Sequence, residues 1–436
     1  MLLTIGLVFI GLVILMVLGV PVGLCFAAGA IILLYAANVD PLWAIQQAFQ
    51  LQQAYTFLAL PLYVLLGSIL SSAGMADRIC EFAQKLVGRI RGGLGIAIVI
   101  ANGIFGAMSG SALSALGGMG RAFLPVMEKQ GYPKSYAVAL LIPSAVLSCL
   151  IPPSGYLILL AFLGQLSIAK AFLAGVGPGI TLMIFLIITH LIMASRIKSI
   201  EVPEKLSFKE QVKTVGSSAY RNSLTLAIPV VVLGVIYGGF GTPTESASIG
   251  TIYAFIIATF VYRKITFKKM AQDVKETGTL IGSLLVLLFF FFVLSRILVI
   301  ERVSEDLLAL MLSISTNKWI LMLMINILML LMGMIMDDVS TAIITTTVLF
   351  PLATSIGFNA YHFVAIATVN LEMGMITPPV APLLYLGGHI AGNMPLSKYI
   401  KPVFWFMIGA FLPTLLLVMF VPEISTLLPT IFARKG

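Results

Sequence analysis

The 436-residue chain is 60% hydrophobic and only 10% charged, with a mean hydropathy of +1.08. Soluble proteins carry about 25% charged residues, so this composition leaves too little polar sequence for a soluble catalytic module. The net charge of +9 is gathered in a few loops (Arg78, Lys85, Arg89 and Arg91; Arg196 to Arg221; Arg263 to Lys275), as expected of the cytoplasmic loops of a membrane protein and not of a nucleic-acid-binding surface.

Apolar runs approaching the ~20 residues needed to cross a bilayer recur along the chain. They are Leu2–Val20, Leu58–Ala73, Leu182–Ala194, Leu224–Tyr237, Ile249–Tyr262, Leu280–Leu294, Ile320–Met332 and Val403–Val421. The first lacks a basic flank and runs into Gly19-Val20-Pro21, so it reads as a retained span. The polar stretch Arg196–Arg221 reads as a cytoplasmic loop dividing two halves. Walking outward from it, Gly238–Ser246 is an outer turn and Arg263–Lys275 a second cytoplasmic loop. Two amphipathic stretches lie at the interfaces: Ala76–Arg91, rich in Lys and Arg and therefore cytoplasmic, and Glu301–Lys318 on the outer side.

Each of these arms precedes a copy of one repeat, offset by 226 residues. Phe123-Leu124-Pro125, Gly131, Val138-Ala139 and Ile151-Pro152-Pro153 fall opposite Leu349-Phe350-Pro351, Gly357, Val364-Ala365 and Thr377-Pro378-Pro379. In the first copy a hairpin at 94–127 turns at Ser109-Gly110-Ser111, and a helix over 136–164 breaks at Ile151–Gly155. In the second a hairpin at 319–354 turns at Asp337–Ser340, and a helix over 362–391 breaks at Thr377–Pro382. Arms on opposite sides make the repeat inverted. The expected fold is an all-α polytopic membrane protein with inverted repeats, each holding a re-entrant hairpin and a broken helix. The parts are 1–92 (scaffold and first arm), 93–195 (first repeat), 196–318 (central loop, scaffold, second arm), 319–402 (second repeat) and 403–436 (C-terminal helix).

Paired interrupted segments of this kind mark the substrate and ion site of a secondary transporter. Backbone left unpaired in hydrocarbon costs several kcal/mol per group, so a break persists only around a cavity or an ion. Na⁺ wants oxygen ligands, and tip hydroxyls with freed carbonyls supply them. The first Na⁺ site is expected at Ser109, Ser111, Ser148, Ile151 and Pro153, and the second at Gly333, Asp337, Gly374, Thr377 and Val380. Ser148 and Gly374 align between copies. Taken alone, Ser and Gly in a membrane helix serve close packing; two tips facing two Pro-Pro breaks point to ligation. Charged residues in spans are functional hypotheses by default. Asp338 and Glu372, with Arg121 and Ser154, are the substrate candidates; the acids alternatively pair with Arg296 or Arg302, and Arg121 alternatively anchors a helix end. Glu245 either caps the following helix or touches a partner protein. His190, His362 and His389 form no metal-ligand cluster, Cys25, Cys80 and Cys149 have no metal or CxxC spacing, and no Ser/His/Asp or phosphate-loop motif occurs. The chain is therefore read as no enzyme and no ATP-driven pump.

Ser109-Gly110-Ser111, Ile151-Pro152-Pro153-Ser154, Gly241-Thr242-Pro243-Thr244-Glu245, Met336-Asp337-Asp338 and Thr377-Pro378-Pro379, in this order, resemble the large membrane subunit of tripartite ATP-independent periplasmic (TRAP) transporters. The resemblance covers essentially the whole chain. It implies an elevator-type ion transporter fold with scaffold and transport domains in the bacterial inner membrane. It implies Na⁺-coupled uptake of an organic acid (sialic acid or another sugar acid first, a C4-dicarboxylate next) and a periplasmic substrate-binding protein. It also implies a small four-helix membrane subunit, expected as a separate polypeptide. One departure is that Thr377 offers a hydroxyl where the first copy has Ile151, so the first site leans more on carbonyls. The rival readings are a stand-alone ion-coupled anion carrier and an anion channel.

Overall fold

A computed structural model describes residues 2–87, 90–201 and 207–433. Arg89, part of the basic charge before the first hairpin, lies outside them, as does the stretch 202–206 of the central loop. Within the described residues the chain is helical from end to end and holds no strand, as expected for backbone that must pair internally in lipid. Among the described residues six helices are long and apolar enough to cross a membrane: Tyr55–Ser72, Ile168–Ala194, Pro243–Val261, Phe267–Ile300, Lys318–Ile335 and Ile400–Phe420. Two bent pairs qualify jointly, at angles of 44° and 70°.

Interrupted helices occur in both halves of the chain. The first hairpin is Gly93–Ser109 and Ala112–Lys129, and the first broken helix is Lys134–Ala145, Leu147–Leu150 and Gly155–Leu163. The second hairpin is Lys318–Ile335 followed by Asp338–Ile344, a wide π turn at Thr345–Leu349, and Phe350–Ser355. Its broken helix is Ala360–Gly374 and Pro382–Ile390. Both Pro-Pro pairs hold a cis peptide bond, Pro152-Pro153 and Pro378-Pro379. The two copies interlock crosswise. The helix leaving the first break packs on the second hairpin at 338–344, and the helix leaving the second break packs on the first hairpin's return helix.

Four expectations are corrected. The central polar stretch is not all loop: Phe208–Arg221 is a helix opened by a capping box, in which Ser207 and Glu210 satisfy each other's backbone N–H groups. It runs along the first arm, Met75–Val87, where the Gln211 side chain donates to the Lys85 carbonyl and Arg221 stands 3.7 Å from Glu81. The basic stretch Arg263–Lys275 is likewise mostly helical, because Thr266 caps a 34-residue helix, Phe267–Ile300, that carries the basic residues on its first turns. The outer turn is shorter than Gly238–Ser246: Pro243 opens the next helix, with Glu245 Oε2 accepting from the Thr242 N–H at 2.7 Å. Glu245 therefore caps. The predicted C-terminal helix is two, Ile400–Phe420 and Glu423–Ala433, parted at Pro422, which has no N–H to continue the ladder.

The first arm buries Met75, Ala76, Ile79, Cys80 and Ala83 on one face, and Arg78 stacks 3.7 Å over the Tyr262 ring. The second arm, Val303–Ile314, buries only Val303 and Met311 and starts after Arg302, which holds φ 52°. The first repeat ends in the long helix Ile168–Ala194. Its glycines bring backbones together: a Cβ on Gly175 would lie 2.4 Å from the Leu150 carbonyl oxygen, and one on Gly177 would lie 1.7 Å from that of Ile424. Gly177→Ala must therefore push the C-terminal helix away, whereas Gly234, with nothing within 4 Å of its Cβ position, has open space. In detergent, Gly177→Ala is expected to destabilise by about 1–3 kcal/mol and lower the apparent melting temperature. Gly234→Ala should leave it equal or raised, and equal melting of both variants would contradict this packing.

Candidate functional site

The site is built where each tip meets its break. At the first, the Gly155 N–H donates to the Gly110 carbonyl at 2.9 Å. Gly110 sits at φ 62°, and a Cβ there would lie 2.8 Å from the Pro153 carbonyl oxygen. Gly is required both for the left-handed turn and for the approach. One turn down, a Cβ on Gly106 would lie 2.6 Å from Ser148 Cα. At the second, the Val380 N–H donates to the Met334 carbonyl at 3.1 Å. Gly333 and Gly374 press backbone to backbone, a Cβ on Gly374 falling 2.6 Å from Gly333 Cα.

Asn102, Gly106 and Ser109 are spaced i, i+4 and i+7, so they share one helix face, and Gly106 makes room for Ser148. Three oxygens on this seam are buried and without a hydrogen-bond partner: Asn102 Oδ1, Ser109 Oγ and Ser148 Oγ. The Asn102 amide group is fixed by its nitrogen, which donates to Ser144 Oγ and the Ile98 carbonyl, each at 3.1 Å. The second copy repeats the device. Asn370, 226 residues after Ser144, donates to Asn326 Oδ1 at 2.7 Å and to the Asn326 carbonyl at 3.0 Å, and its own Oδ1 is left free and buried. Unpaired buried oxygens cost roughly 1–3 kcal/mol each. A set of neutral oxygens fits a desolvated monovalent cation, and it fits no thiolate- or imidazole-seeking metal. Among the described residues no cluster of three or more His, Cys, Asp or Glu side chains could hold a metal ion.

The other predicted residues divide. Ser111 caps the Ala112–Lys129 helix through the Ser114 N–H at 3.4 Å. Ser154 is fully buried and spends its hydroxyl on the Cys149 carbonyl, at 2.7 Å, and on the Leu157 N–H, at 3.1 Å. Ile151 and Pro153 form the break, Ile151 resting on Gly179 and the Pro153 carbonyl on Gly110. Thr377 donates to the Met373 carbonyl at 2.7 Å, and Asp337 accepts from the Ser340 hydroxyl. Glu372 is buried in the last turn of its helix, just before the second break. Arg121 does not join them: it is exposed, donates to Gly117 of its own helix at 2.8 Å, and stands ten residues, roughly 15 Å of helix, beyond Ser111. Arg296 lies over Trp43 and Arg302 pairs with Glu305, so neither takes up the acids of the second tip. Asn102, Ser144, Asn326 and Asn370 were not singled out by sequence reasoning. Their signal was present, as lone amides in apolar helices and as a polar residue at 144 aligned with one at 370.

Comparisons with known proteins agree with this architecture. The solved YdaH transporter of Alcanivorax borkumensis superposes with a TM-score of 0.66 at 14% identity, covering 92% of this chain and 99% of that one, which supports the fold. The C4-dicarboxylate TRAP transporter large permease DctM of Pseudomonas aeruginosa is 32% identical, over 87% of this chain and 88% of its own length. The sialic acid TRAP transporter large permease SiaM of Vibrio cholerae is 31% identical over 96% of both chains. The isethionate TRAP transporter permease DctMQ of Oleidesulfovibrio alaskensis is 30% identical over 94% of this chain and 64% of its own. The profile of the tripartite ATP-independent periplasmic transporter, DctM component, matches residues 9–424. The chain belongs to the DctM family of TRAP transporter large permeases.

Proposed function

We propose that the protein carries an organic acid across the bacterial inner membrane by Na⁺-coupled secondary active uptake. A periplasmic binding protein delivers the substrate, and a separate small four-helix membrane subunit stands beside this chain. The observation that carries the coupling is the seam of unpartnered buried oxygens, Asn102 Oδ1, Ser109 Oγ and Ser148 Oγ, echoed by Asn370 Oδ1 in the second repeat. These oxygens, with carbonyls freed at Ile151, Pro153 and Thr377–Val380 and with Asp337, form two Na⁺ sites. Na⁺ bound there draws each tip onto its break. That closes a pocket walled by the amino ends of the Ala112–Lys129 and Gly155–Leu163 helices, whose N–H groups and dipoles favour a carboxylate. Ion and substrate then favour each other's binding reciprocally. The two repeats, 93–195 and 319–402, move as a transport domain against a scaffold formed by the remaining spans, with the arms joining the two. Sialic acid is the first substrate to test and a C4-dicarboxylate the second. Relatives whose names carry C4-dicarboxylate, sialic acid and isethionate are all close to 30% identical, and all three substrates are organic anions.

The test is uptake into liposomes holding this chain and its small subunit, with and without an inward Na⁺ gradient and with and without the binding protein. Uptake that needs both is expected; Na⁺-driven uptake without the binding protein would make the chain a stand-alone carrier, and downhill flux alone would make it a channel. Asn102→Ala and Ser148→Ala should each raise the Na⁺ concentration for half-maximal uptake about tenfold, equivalent to ~1.4 kcal/mol. An unchanged Na⁺ dependence in both would remove the first site. Gly374→Ala, which wedges the second tip from its break, is expected to reduce uptake more than tenfold, ~1.4 kcal/mol or more, at normal membrane abundance.

A further inference from the structure

We propose that Glu372 and Asp338 form an additional cation site at the seam between the two repeats, apart from the two Na⁺ sites at the tips; the proposal rests on the Na⁺-coupled reading above. Glu372 is 1% exposed, and both its carboxylate oxygens lack a hydrogen-bond partner. Its helix packs chiefly on Lys318–Ile335 and Ile168–Ala194, and it also touches Leu147–Leu150, Gly155–Leu163 and Asp338–Ile344, which brings the first break and the second tip to this helix. The groups close enough to act on its charge are the Asp338 carboxylate, with Asp337 next to it in sequence, and the Cys149 thiol. Tyr156 borders the same group, its hydroxyl 3.3 Å from Thr341 Oγ1, and Thr341 Oγ1 donates to the Asp338 carbonyl at 3.0 Å.

Among the described residues no ion pair includes Asp337, Asp338 or Glu372, and Leu147–Leu150, Gly155–Leu163 and Asp338–Ile344 contain no Lys, Arg or His. A buried ionised carboxylate with neither partner nor hydrogen bond costs several kcal/mol, and a second acid beside it adds repulsion. An organic acid cannot supply the missing charge, because it would bring another negative group to the same place. A monovalent cation can. The Glu372 and Asp338 carboxylates, with the Tyr156 and Thr341 hydroxyls, offer it oxygen from both repeats. Asp338, partly exposed, gives the entrance, and Glu372 closes the inner end. Bound there, the ion ties the first break to the second tip and turns a repulsive wall of the pocket into one that tolerates an anion.

The test has two arms. Thermal unfolding of the purified full chain, without substrate or binding protein, is followed as NaCl replaces choline chloride at constant ionic strength, for the wild type and Glu372→Gln. The Na⁺ dependence of sialic acid uptake is then measured for both in liposomes with the small subunit and the binding protein. Glu372→Gln is expected to lower the Na⁺-dependent rise in melting temperature, weaken the half-maximal Na⁺ concentration at least tenfold, and lower the Na⁺ Hill coefficient of uptake by about one. Wild-type Na⁺ stabilisation and Hill coefficient in the variant would overturn the site. So would a wild type stabilised by acid pH at Glu372 but not by Na⁺, which would make the group a proton carrier. If Glu372→Gln does not fold, Glu372→Asp is expected to change the Li⁺ to Na⁺ preference, and an unchanged preference overturns the proposal. The two readings fail separately. Glu372-dependent Na⁺ stabilisation without Na⁺-driven uptake sinks only the coupled-transport reading. Na⁺-driven uptake that is identical in Glu372→Gln sinks only this site.

Discussion

The hydrogen bond from the Gly155 N–H to the Gly110 carbonyl is small in energy, and much of the structure is arranged around it. A chain that stops and turns inside hydrocarbon leaves peptide groups with no partner, each costing several kcal/mol. The first tip and the first break each answer part of the other's deficit, and the second pair does the same through Val380 and Met334. The contact demands that nothing stand between the backbones. That is why Gly110, Gly106, Gly333 and Gly374 occupy positions where a methyl group would collide with main chain. The Pro-Pro pairs enforce the interruption from one side, and the glycines permit the approach from the other.

What remains after this mutual satisfaction is chemically selective. Backbone groups are largely served, while side-chain oxygens of Asn102, Ser109, Ser148, Asn370 and Glu372 are not. Native proteins seldom leave such atoms idle. The oxygens of these five residues lie along two related seams and one shared border, as expected of polar groups reserved for something that comes and goes.

Much of this was legible in the chain because the hairpins and breaks are punctuated by residues with backbone consequences. Pro152-Pro153, Pro378-Pro379 and Gly110 act through φ and the missing N–H, and those effects survive without knowledge of the neighbours. The parts that escaped depend on context. Phe208–Arg221 is polar, so hydropathy read it as loop, although the Ser207–Glu210 capping box announced a helix. The basic residues from Arg263 to Lys275 concealed the start of a helix that continues unbroken into the membrane. Asn102 and Asn326 resemble tolerated polar residues until the fold places Ser144 and Asn370 against them. Arg121 failed for the opposite reason: helical rise carries it away from a tip that lies close in sequence.

The crosswise packing of the repeats bears on how the chain is made. Gly155–Leu163 finds its cover on residues 338–344, and Pro382–Ile390 covers the first hairpin's return helix. During synthesis the first break is complete almost two hundred residues before its cover emerges from the ribosome. Its polar edge must be held through that interval by water, lipid headgroups or the insertion machinery. The amino-terminal half is therefore not an independent folding unit, and a truncated chain would present the insertion and quality-control systems with an open seam where the finished protein has none.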